Sequence, residues 1–171
     1  ESVFEDVEVA PLLRSLLTEY LEERGIPYAI ASRHCCRLNY GVRGKRYFAV
    51  GFPNMAGGYE VRSRYFKGCI PPKSVSLVKA NDIPADEYLV FEGFMDFLSY
   101  LTLKQAGDDT VCIDAPCDYL VMNSVNNLKK ALEHLQVYEE IHCYLDNDLA
   151  GQKTEETIAG MYGGRVRNEA P

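Results

Sequence analysis

Beyond residue 86 the sequence alternates short apolar runs with amphipathic segments, and this alternation constrains the fold more than any other feature. The runs EYLVFE (87–92) and IHCYLD (141–146) predict buried strands. Apolar residues at helical spacing predict helices over 93–107, 125–139 and 149–164, and another strand begins at residue 165. Strands that alternate with helices form a mostly parallel sheet with helices on its faces. The sequence therefore predicts an α/β domain here.

Two of the predicted strands end in acidic residues. EYLVFE ends with Glu92, and IHCYLD ends with Asp146, which Asp148 follows closely. Parallel neighbours lie about 4.8 Å apart, so adjacent strands would bring these carboxylates together, with Asp96 one helical turn after Glu92. A hard divalent cation relieves such repulsion, and an all-oxygen site suits Mg²⁺ or Mn²⁺ rather than zinc. The strand ends therefore predict a metal site.

The same aspartates have a simpler interpretation as helix caps. Asp148 precedes the helix predicted from Leu149, and an aspartate in that position accepts hydrogen bonds from the first backbone N–H groups. An EF-hand is disfavoured, because its twelfth position is Thr157 where a glutamate is required. Metal ligand and helix cap both remain open for Asp148 from the residues alone.

The formal net charge of −7 is unevenly distributed. Residues 26–80 carry ten Lys and Arg against one acid, a surplus of +9, and the rest of the chain sums to −16. Aromatic residues are interleaved with these bases, as in the stretch KRYF (45–48). Bases of a nucleic acid can stack on such rings while Lys and Arg hold its phosphates. The segment predicts a polyanion-binding surface, with a merely solvated basic face as the alternative.

The first half of the chain has a different pattern. Leucines at helical spacing predict a helix over 10–24, and β-like runs broken by Gly and Pro predict hairpins over 26–80. The polar stretch ANDIPADEY (80–88) marks a boundary, so we expect domains over 1–82 and 83–171. No apolar run or leader indicates a membrane span or a signal peptide, and a cytoplasmic protein without membrane contacts is expected.

Cysteine and histidine are expected to have structural roles. The six cysteines form no CxxC pair and lie in or beside apolar runs, which is typical of reduced, buried thiols rather than zinc ligands or disulfides. His34, His134 and His142 are likewise interpreted as structural. Asn123 and Ser124 end a predicted strand on the same edge as Glu92, where they either cap the next helix or contact a substrate phosphate.

The strings VFEGFMD (90–96) and YLDNDLAGQ (144–152) resemble the two signatures of the Toprim domain. The resemblance is to bacterial replicative primases and to primase-like proteins of mobile elements. It extends more weakly through GGYEVRSRYFKG (57–68) and PPKS (71–74). It implies a Toprim-type, Rossmann-like sheet preceded by a small basic α+β subdomain. One departure is Gln152, which stands where the family has arginine and is followed by Lys153.

The resemblance implies a role for each acidic residue. Glu92 would be the general acid/base or a metal-linked carboxylate, Asp146 and Asp148 would bind Mg²⁺ (or Mn²⁺), and Asp96 would support catalysis. The implied reaction, which belongs to DNA replication, is nucleotidyl transfer: RNA primer synthesis from nucleoside triphosphates on a single-stranded DNA template. A replicative helicase is an expected partner through regions outside this chain. The residues predicted to bind nucleic-acid or nucleotide phosphate are Arg46, Arg62, Arg64, Lys67, Lys73, Asn123, Ser124 and Lys153.

Two other functions fit the same residues. A Toprim nuclease or topoisomerase-like enzyme would use the metal to cleave DNA strands, although no tyrosine of this chain stands in a recognisable nucleophile context. A non-catalytic nucleic-acid-binding module would keep the fold without activity. Primer synthesis, metal-dependent cutting, and binding with neither activity distinguish the three.

Overall fold

The computed structural model describes residues 3–135, 138 and 140–169. The chain divides into two compact units, Glu1–Lys73 and Ser74–Pro171. This division lies earlier than the predicted boundary between residues 82 and 83. The difference arises from a three-residue strand, Ser76–Val78, which pairs with a strand of the second unit rather than with the preceding hairpins.

The first unit is built on a five-stranded sheet in which every neighbouring pair is antiparallel and the strands follow chain order. The strands are β1 (Glu5–Pro11), β2 (Cys36–Val42), β3 (Lys45–Pro53), β4 (Tyr59–Arg62) and β5 (Lys67–Ile70). Two helices, α1 (Leu16–Glu23) and α2 (Tyr28–His34), lie between β1 and β2 in the chain. Buried Leu38, Ala49 and Val61 form the centre of one core cluster.

Helix α1 is shorter than the predicted helix over 10–24. Residues up to Pro11 pair with β2 as a strand, and Ser15 then caps α1 in a capping box with Thr18. The helix α2 was not predicted, because residues 26–80 were expected to form hairpins and a proline such as Pro27 can end a helix as well as begin one. Pro27 directly precedes α2 with φ −65°, a backbone angle that also suits the start of a new helix.

The second unit contains the predicted mostly parallel sheet. Its strands are β6 (Ser76–Val78), β7 (Glu87–Phe91), β8 (Cys117–Val121), β9 (Glu140–Tyr144) and β10 (Val166–Asn168), in the order β10-β9-β7-β8-β6. Only β6 is antiparallel to its neighbour among these described strands. The helices are α3 (Phe94–Gln105), α4 (Leu128–Leu132) and α5 (Leu149–Tyr162). The predicted α/β fold is confirmed.

The helix predicted over 125–139 is only partly present. A 3₁₀ turn, Val125–Asn127, leads into the short α4, and residues 136, 137 and 139 lie outside the described residues.

Every residue of β8 is buried, and one of them is the acidic residue Asp118. Asp118 accepts hydrogen bonds from the backbone N–H groups of Ala80 and Ala85 and from the hydroxyl of Tyr138. This buried carboxylate therefore fastens the polar segment before β7 to the sheet.

Three of the six cysteines, Cys35, Cys117 and Cys143, are buried, and the other three are partly buried. All six cysteines are free thiols, and burial raises the pKa of Cys36 and of Cys69 to about 11. His142 in β9 lies between two carboxylates, with Nε2 2.6 Å from Glu87 and Nδ1 2.9 Å from Glu169. No helix within the described residues is long and apolar enough to cross a membrane.

Candidate functional site

The ends of two adjacent strands bring Glu92 and Asp146 together. Strands β7 and β9 are parallel neighbours, with Phe91 paired to Tyr144, so the residues that follow them leave the same edge of the sheet. The backbone N–H of Asp146 donates to Oε2 of Glu92 at 3.4 Å. The expectation that these two strand ends adjoin is met.

The pKa of Glu92 shows that several carboxylates face the same region. Burial raises this pKa above its usual value, and the negative charges of Asp146, Asp148 and Asp96 raise it further. The hydrogen bond from the backbone of Asp146 opposes the shift but does not cancel it. Neighbouring negative charges destabilise the ionised form of a carboxyl group, and a bound cation would relieve this repulsion.

Asp148 is the N-cap of α5. Its Oδ1 accepts hydrogen bonds from the backbone N–H of Ala150 at 2.9 Å and of Gly151 at 2.8 Å. The cap interpretation of Asp148 is therefore correct as a description of its local contacts. Both bonds go to the same oxygen, so a contact of Oδ2 with a cation is compatible with the cap.

Gly151 determines how closely α5 begins against the end of β9. A Cβ atom at this position would lie only 1.9 Å from the backbone oxygen of Asp146. Glycine is required here because the backbones of residues 146 and 151 are in contact, and not because of its torsion angles. The close approach holds Asp146 and Asp148 on one tight turn.

The remaining acidic residue of the prediction, Asp96, lies exposed in the first turn of α3. An acidic side chain in this position is also favoured by the partial positive charge of a helix N-terminus. Its charge nevertheless contributes to the raised pKa of Glu92. Asp96 therefore belongs to the acidic cluster, which we define as Glu92, Asp96, Asp146 and Asp148.

The first turns of α5 carry Gln152 and Lys153. Gln152 donates from Nε2 to Oδ1 of Asn147 at 3.0 Å, so it ties down the turn that separates the two aspartates. Lys153 is exposed on the helix surface. The structure therefore gives Gln152 a supporting role in the turn and leaves Lys153 accessible.

Asn123 and Ser124 make contacts within the fold. Ser124 accepts a hydrogen bond from the backbone N–H of Asn126 and caps the following 3₁₀ turn. Asn123, at a left-handed φ of +63°, donates from Nδ2 to the backbone oxygen of Ser74 and to Oγ of Ser76. The capping alternative describes Ser124, and the amide donors of Asn123 are already used in joining residues 74–76 to the end of β8.

Of the six basic residues predicted to bind phosphate, all except Lys153 lie in the first unit. Arg46 is 3.6 Å from a carboxylate oxygen of Glu8, and Arg64 is 2.7 Å from that of Glu23. Arg62 is half-buried and donates from Nε to the hydroxyl of Tyr20 at 3.3 Å. The side chains of the other two, Lys67 and Lys73, are exposed, and both lower the pKa of the nearby Glu60 that burial raises.

The acidic cluster has the donor chemistry of a hard cation site, but its carboxylates do not converge on a point. Within the ranges that the structure describes, no three His, Cys, Asp or Glu side chains are grouped closely enough to hold a metal ion. Three features fit a hard divalent cation: the donors are all oxygen, Asp146 and Asp148 are exposed, and neighbouring carboxylates raise the pKa of Glu92.

Comparison with known families identifies the second unit. Residues 89–168 match the family described as Toprim-like. The second unit is a Toprim domain. Residues 6–71, nearly all of the first unit, match a family described as "Domain of unknown function (DUF8464)". No sequence among the curated proteins matches the chain.

Two solved structures from bacteriophage T7 share the fold of the chain. The primase fragment of the T7 primase-helicase protein is 20% identical with a TM-score of 0.59, and the match covers 95% of this chain and 65% of that one. The second structure is the T7 lagging-strand DNA polymerase interacting with primase domains of two gp4 subunits bound to an RNA/DNA hybrid and dTTP. There the identity is 16% and the TM-score 0.55, over 95% of this chain and 79% of that one. The chain thus spans about two thirds of the length of the T7 primase fragment, and at these identities the likeness concerns the fold.

Proposed function

We propose that the chain is the catalytic core of a primase-like nucleotidyltransferase that synthesises RNA primers on single-stranded DNA with Mg²⁺ or Mn²⁺. The observation that carries the proposal is the acidic cluster at the ends of β7 and β9, where Asp146 contacts Glu92 and neighbouring carboxylates raise the pKa of Glu92. The Toprim family match and the fold shared with the T7 primase fragment support the same class of reaction.

Asp146 and Asp148 would hold the divalent cation, and Glu92 would either complete the ligand set or assist proton movement. When bound, such an ion supplies positive charge that neutralises the attacking and leaving oxygens of a phosphoryl group. Asp148 would contribute the oxygen that does not cap α5, since both capping bonds are accepted by Oδ1. Gly151 allows both aspartates to lie on one turn and so keeps this ligand pair together.

Glu92 is the group best suited to accept a proton from the attacking 3′-hydroxyl. Where Glu92 does not itself bind the cation, its raised pKa makes the ionised carboxylate a stronger base than that of an ordinary glutamate. The N–H of Asp146 donates to Oε2 and so orients the carboxylate. Asp96 would support this role, because its negative charge helps to keep the pKa of Glu92 high.

Phosphate contacts would come from the basic residues. Exposed Lys153 in α5 follows the turn that carries Asp146 and Asp148, which suits a contact with a nucleoside triphosphate. Arg46, Arg62, Arg64, Lys67 and Lys73 would hold the template or product strand. Asn123 and Ser124 would act by shaping the end of β8, because their described hydrogen bonds are internal to the fold. A replicative helicase is the proposed protein partner.

The proposal is tested by primer synthesis on a single-stranded template with Mg²⁺ and labelled ribonucleotides. We expect Asp146→Asn to abolish synthesis, while the control Asp114→Asn, an exposed aspartate outside the acidic cluster, keeps it. Synthesis by Asp146→Asn at the wild-type rate would contradict the assignment. Metal-dependent cutting of DNA without synthesis would indicate the nuclease alternative, and binding with neither activity would indicate a non-catalytic module.

A further inference from the structure

The first unit contains an open groove of about 700 Å³ whose lining residues all belong to that unit. It is bounded by α1, by the end of the β2–β3 hairpin and by the turn between β4 and β5. Seven of the fourteen lining residues are Phe or Tyr, whereas three are Leu or Val. The volume falls within the range of roughly 300–1,000 Å³ that is usual for small-molecule sites. We call this feature the aromatic groove.

Four of the rings in the aromatic groove are exposed to solvent. The exposed fractions are 46% for Tyr47, 47% for Phe48, 92% for Tyr65 and 42% for Phe66. Tyr47 stacks on buried Tyr40 with ring centroids 5.9 Å apart. This contact supports one face of the Tyr47 ring and leaves the other face available. Contiguous exposed apolar surface of this kind marks a binding site in a folded protein. Tyr47 is therefore preorganised to receive a flat partner, and Tyr65 presents a ring that is open to solvent.

Basic residues outnumber acidic ones in and beside the aromatic groove, although Glu19 also lines it. Arg46 and Arg64 line it, and Arg43 and Lys45 lie exposed at the hairpin beside it. The carboxylates that pair with Arg46 and Arg64 are 68% and 57% exposed, so these ion pairs are weak and a phosphate can replace them. Residues 1–73 carry eleven Lys and Arg against eight acids, a net charge of +3, although the whole chain carries −7.

We propose that the aromatic groove binds unpaired bases of a single-stranded nucleic acid, which stack on Tyr47 and Tyr65 while Arg46 and Arg64 contact the flanking phosphates. An apolar peptide would favour an aliphatic lining, and the excess of rings over aliphatic side chains together with the positive rim favours bases joined by phosphates. A duplex is excluded as the ligand because its base faces are covered by stacking. This inference depends on the proposed function only in the class of partner, a single-stranded nucleic acid. Binding in the aromatic groove would require neither a metal ion nor the acidic cluster.

The absence of tryptophan from the sequence allows a direct test. Tyr65→Trp in the full chain places one fluorescent indole in the groove. Tyr28→Trp is the matched control, because Tyr28 lies in the same unit under the guanidinium of Arg14 and does not line the groove. Each protein is titrated, in EDTA, with an oligothymidylate and with a strand of equal length made of abasic sugar-phosphate units. We expect the oligothymidylate to quench the indole of Tyr65→Trp and to leave that of Tyr28→Trp unchanged.

Binding of fluorescein-labelled strands measures the energetic contribution of the rings. Loss of one stacking ring is expected to weaken binding of oligothymidylate about 5- to 150-fold in Tyr47→Ala and Tyr65→Ala. The affinity for the abasic strand should not change, because that strand has no bases to stack. Tyr65→Phe keeps a ring and should bind like the wild type. Equal affinities of the wild type for the two strands, or no effect of either alanine variant, would overturn the inference, and so would binding of a peptide but not of the strand.

The outcome separates this inference from the proposed function. Asp146→Asn, which should lose primer synthesis, is expected to bind oligothymidylate in EDTA as tightly as the wild type. Base-dependent binding without primer synthesis by the wild type would refute the proposed function and keep the aromatic groove. Primer synthesis that is unaffected by Tyr47→Ala and Tyr65→Ala, with unchanged strand affinity, would refute the groove and keep the proposed function.

Discussion

Gly151→Ala is the substitution for which the structure makes the sharpest prediction. The new Cβ would lie 1.9 Å from the backbone oxygen of Asp146, whereas ordinary contacts of this kind begin near 3.4 Å. Neither atom belongs to a flexible side chain, so the start of α5 must move away from the end of β9 by more than an ångström. Overpacking of this kind costs about 1–3 kcal/mol of unfolding free energy.

Gly160→Ala provides a matched control in the same helix. Apart from adjacent residues and the backbone of α5 itself, no atom of the described residues lies within 4 Å of the position that a Cβ at residue 160 would occupy. Alanine at residue 160 should therefore affect stability only through its higher helix propensity, which raises the free energy of unfolding by about 0.5–1 kcal/mol relative to glycine. The two alanine substitutions thus have opposite predicted signs.

Urea denaturation followed by circular dichroism measures the free energy of unfolding for both variants. We expect Gly151→Ala to be less stable than the wild type and Gly160→Ala to be slightly more stable. Because the displaced turn carries Asp146 and Asp148, Gly151→Ala should also lose primer synthesis at temperatures where it remains folded. If Gly151→Ala is as stable and as active as Gly160→Ala, the close contact does not exist and the geometry of the acidic cluster is wrong.

Two further predictions concern carboxylates. The raised pKa of Glu92 means that its ionised form opposes folding at neutral pH and that this penalty disappears as the pH falls through the folded-state value. Glu92→Gln should therefore melt at a higher temperature than the wild type at pH 7, with a difference that shrinks toward acid pH; an advantage that grows in acid would contradict the sign. Asp118→Ala removes a buried acceptor from three donors, of which the Tyr138 hydroxyl is buried, and should cost about 2–4 kcal/mol in urea denaturation, whereas Asp114→Ala at an exposed site should cost less than about 0.5 kcal/mol. Equal effects of the two aspartate substitutions would contradict the role of Asp118.

The part of the fold that sequence reasoning predicted well is the part with long, strongly periodic elements. Strands β7 and β9 and helices α3 and α5 have apolar spacings that admit one assignment each, and the strand ends that form the acidic cluster follow from them. The order of strands in a sheet cannot be read from apolar spacing. Acidic residues at the ends of two strands nevertheless indicate that a cation binds both, which requires the two strands to be neighbours. That reasoning correctly placed Glu92 beside Asp146.

The errors arose where a local signal has two meanings or where pairing is distant in sequence. Proline can end one helix or begin the next, and α2 was missed for that reason. The strand β6 is three residues long and pairs with β8 more than forty residues later, so its spacing could not reveal which sheet it joins. The rings of the aromatic groove were recognised as interleaved with bases, but their assembly around one groove depends on the tertiary fold.

The two oxygens of Asp148 are not equivalent. Because Oδ1 caps α5, this position must keep a capping side chain for the helix to begin at Leu149, and asparagine, serine or threonine would meet that need as well as aspartate. A relative that has lost catalysis would therefore still be selected to keep a short polar residue at this point. Under the proposed function, the identity of the residue at 146 is the more informative marker, since no described contact gives the Asp146 side chain a capping role.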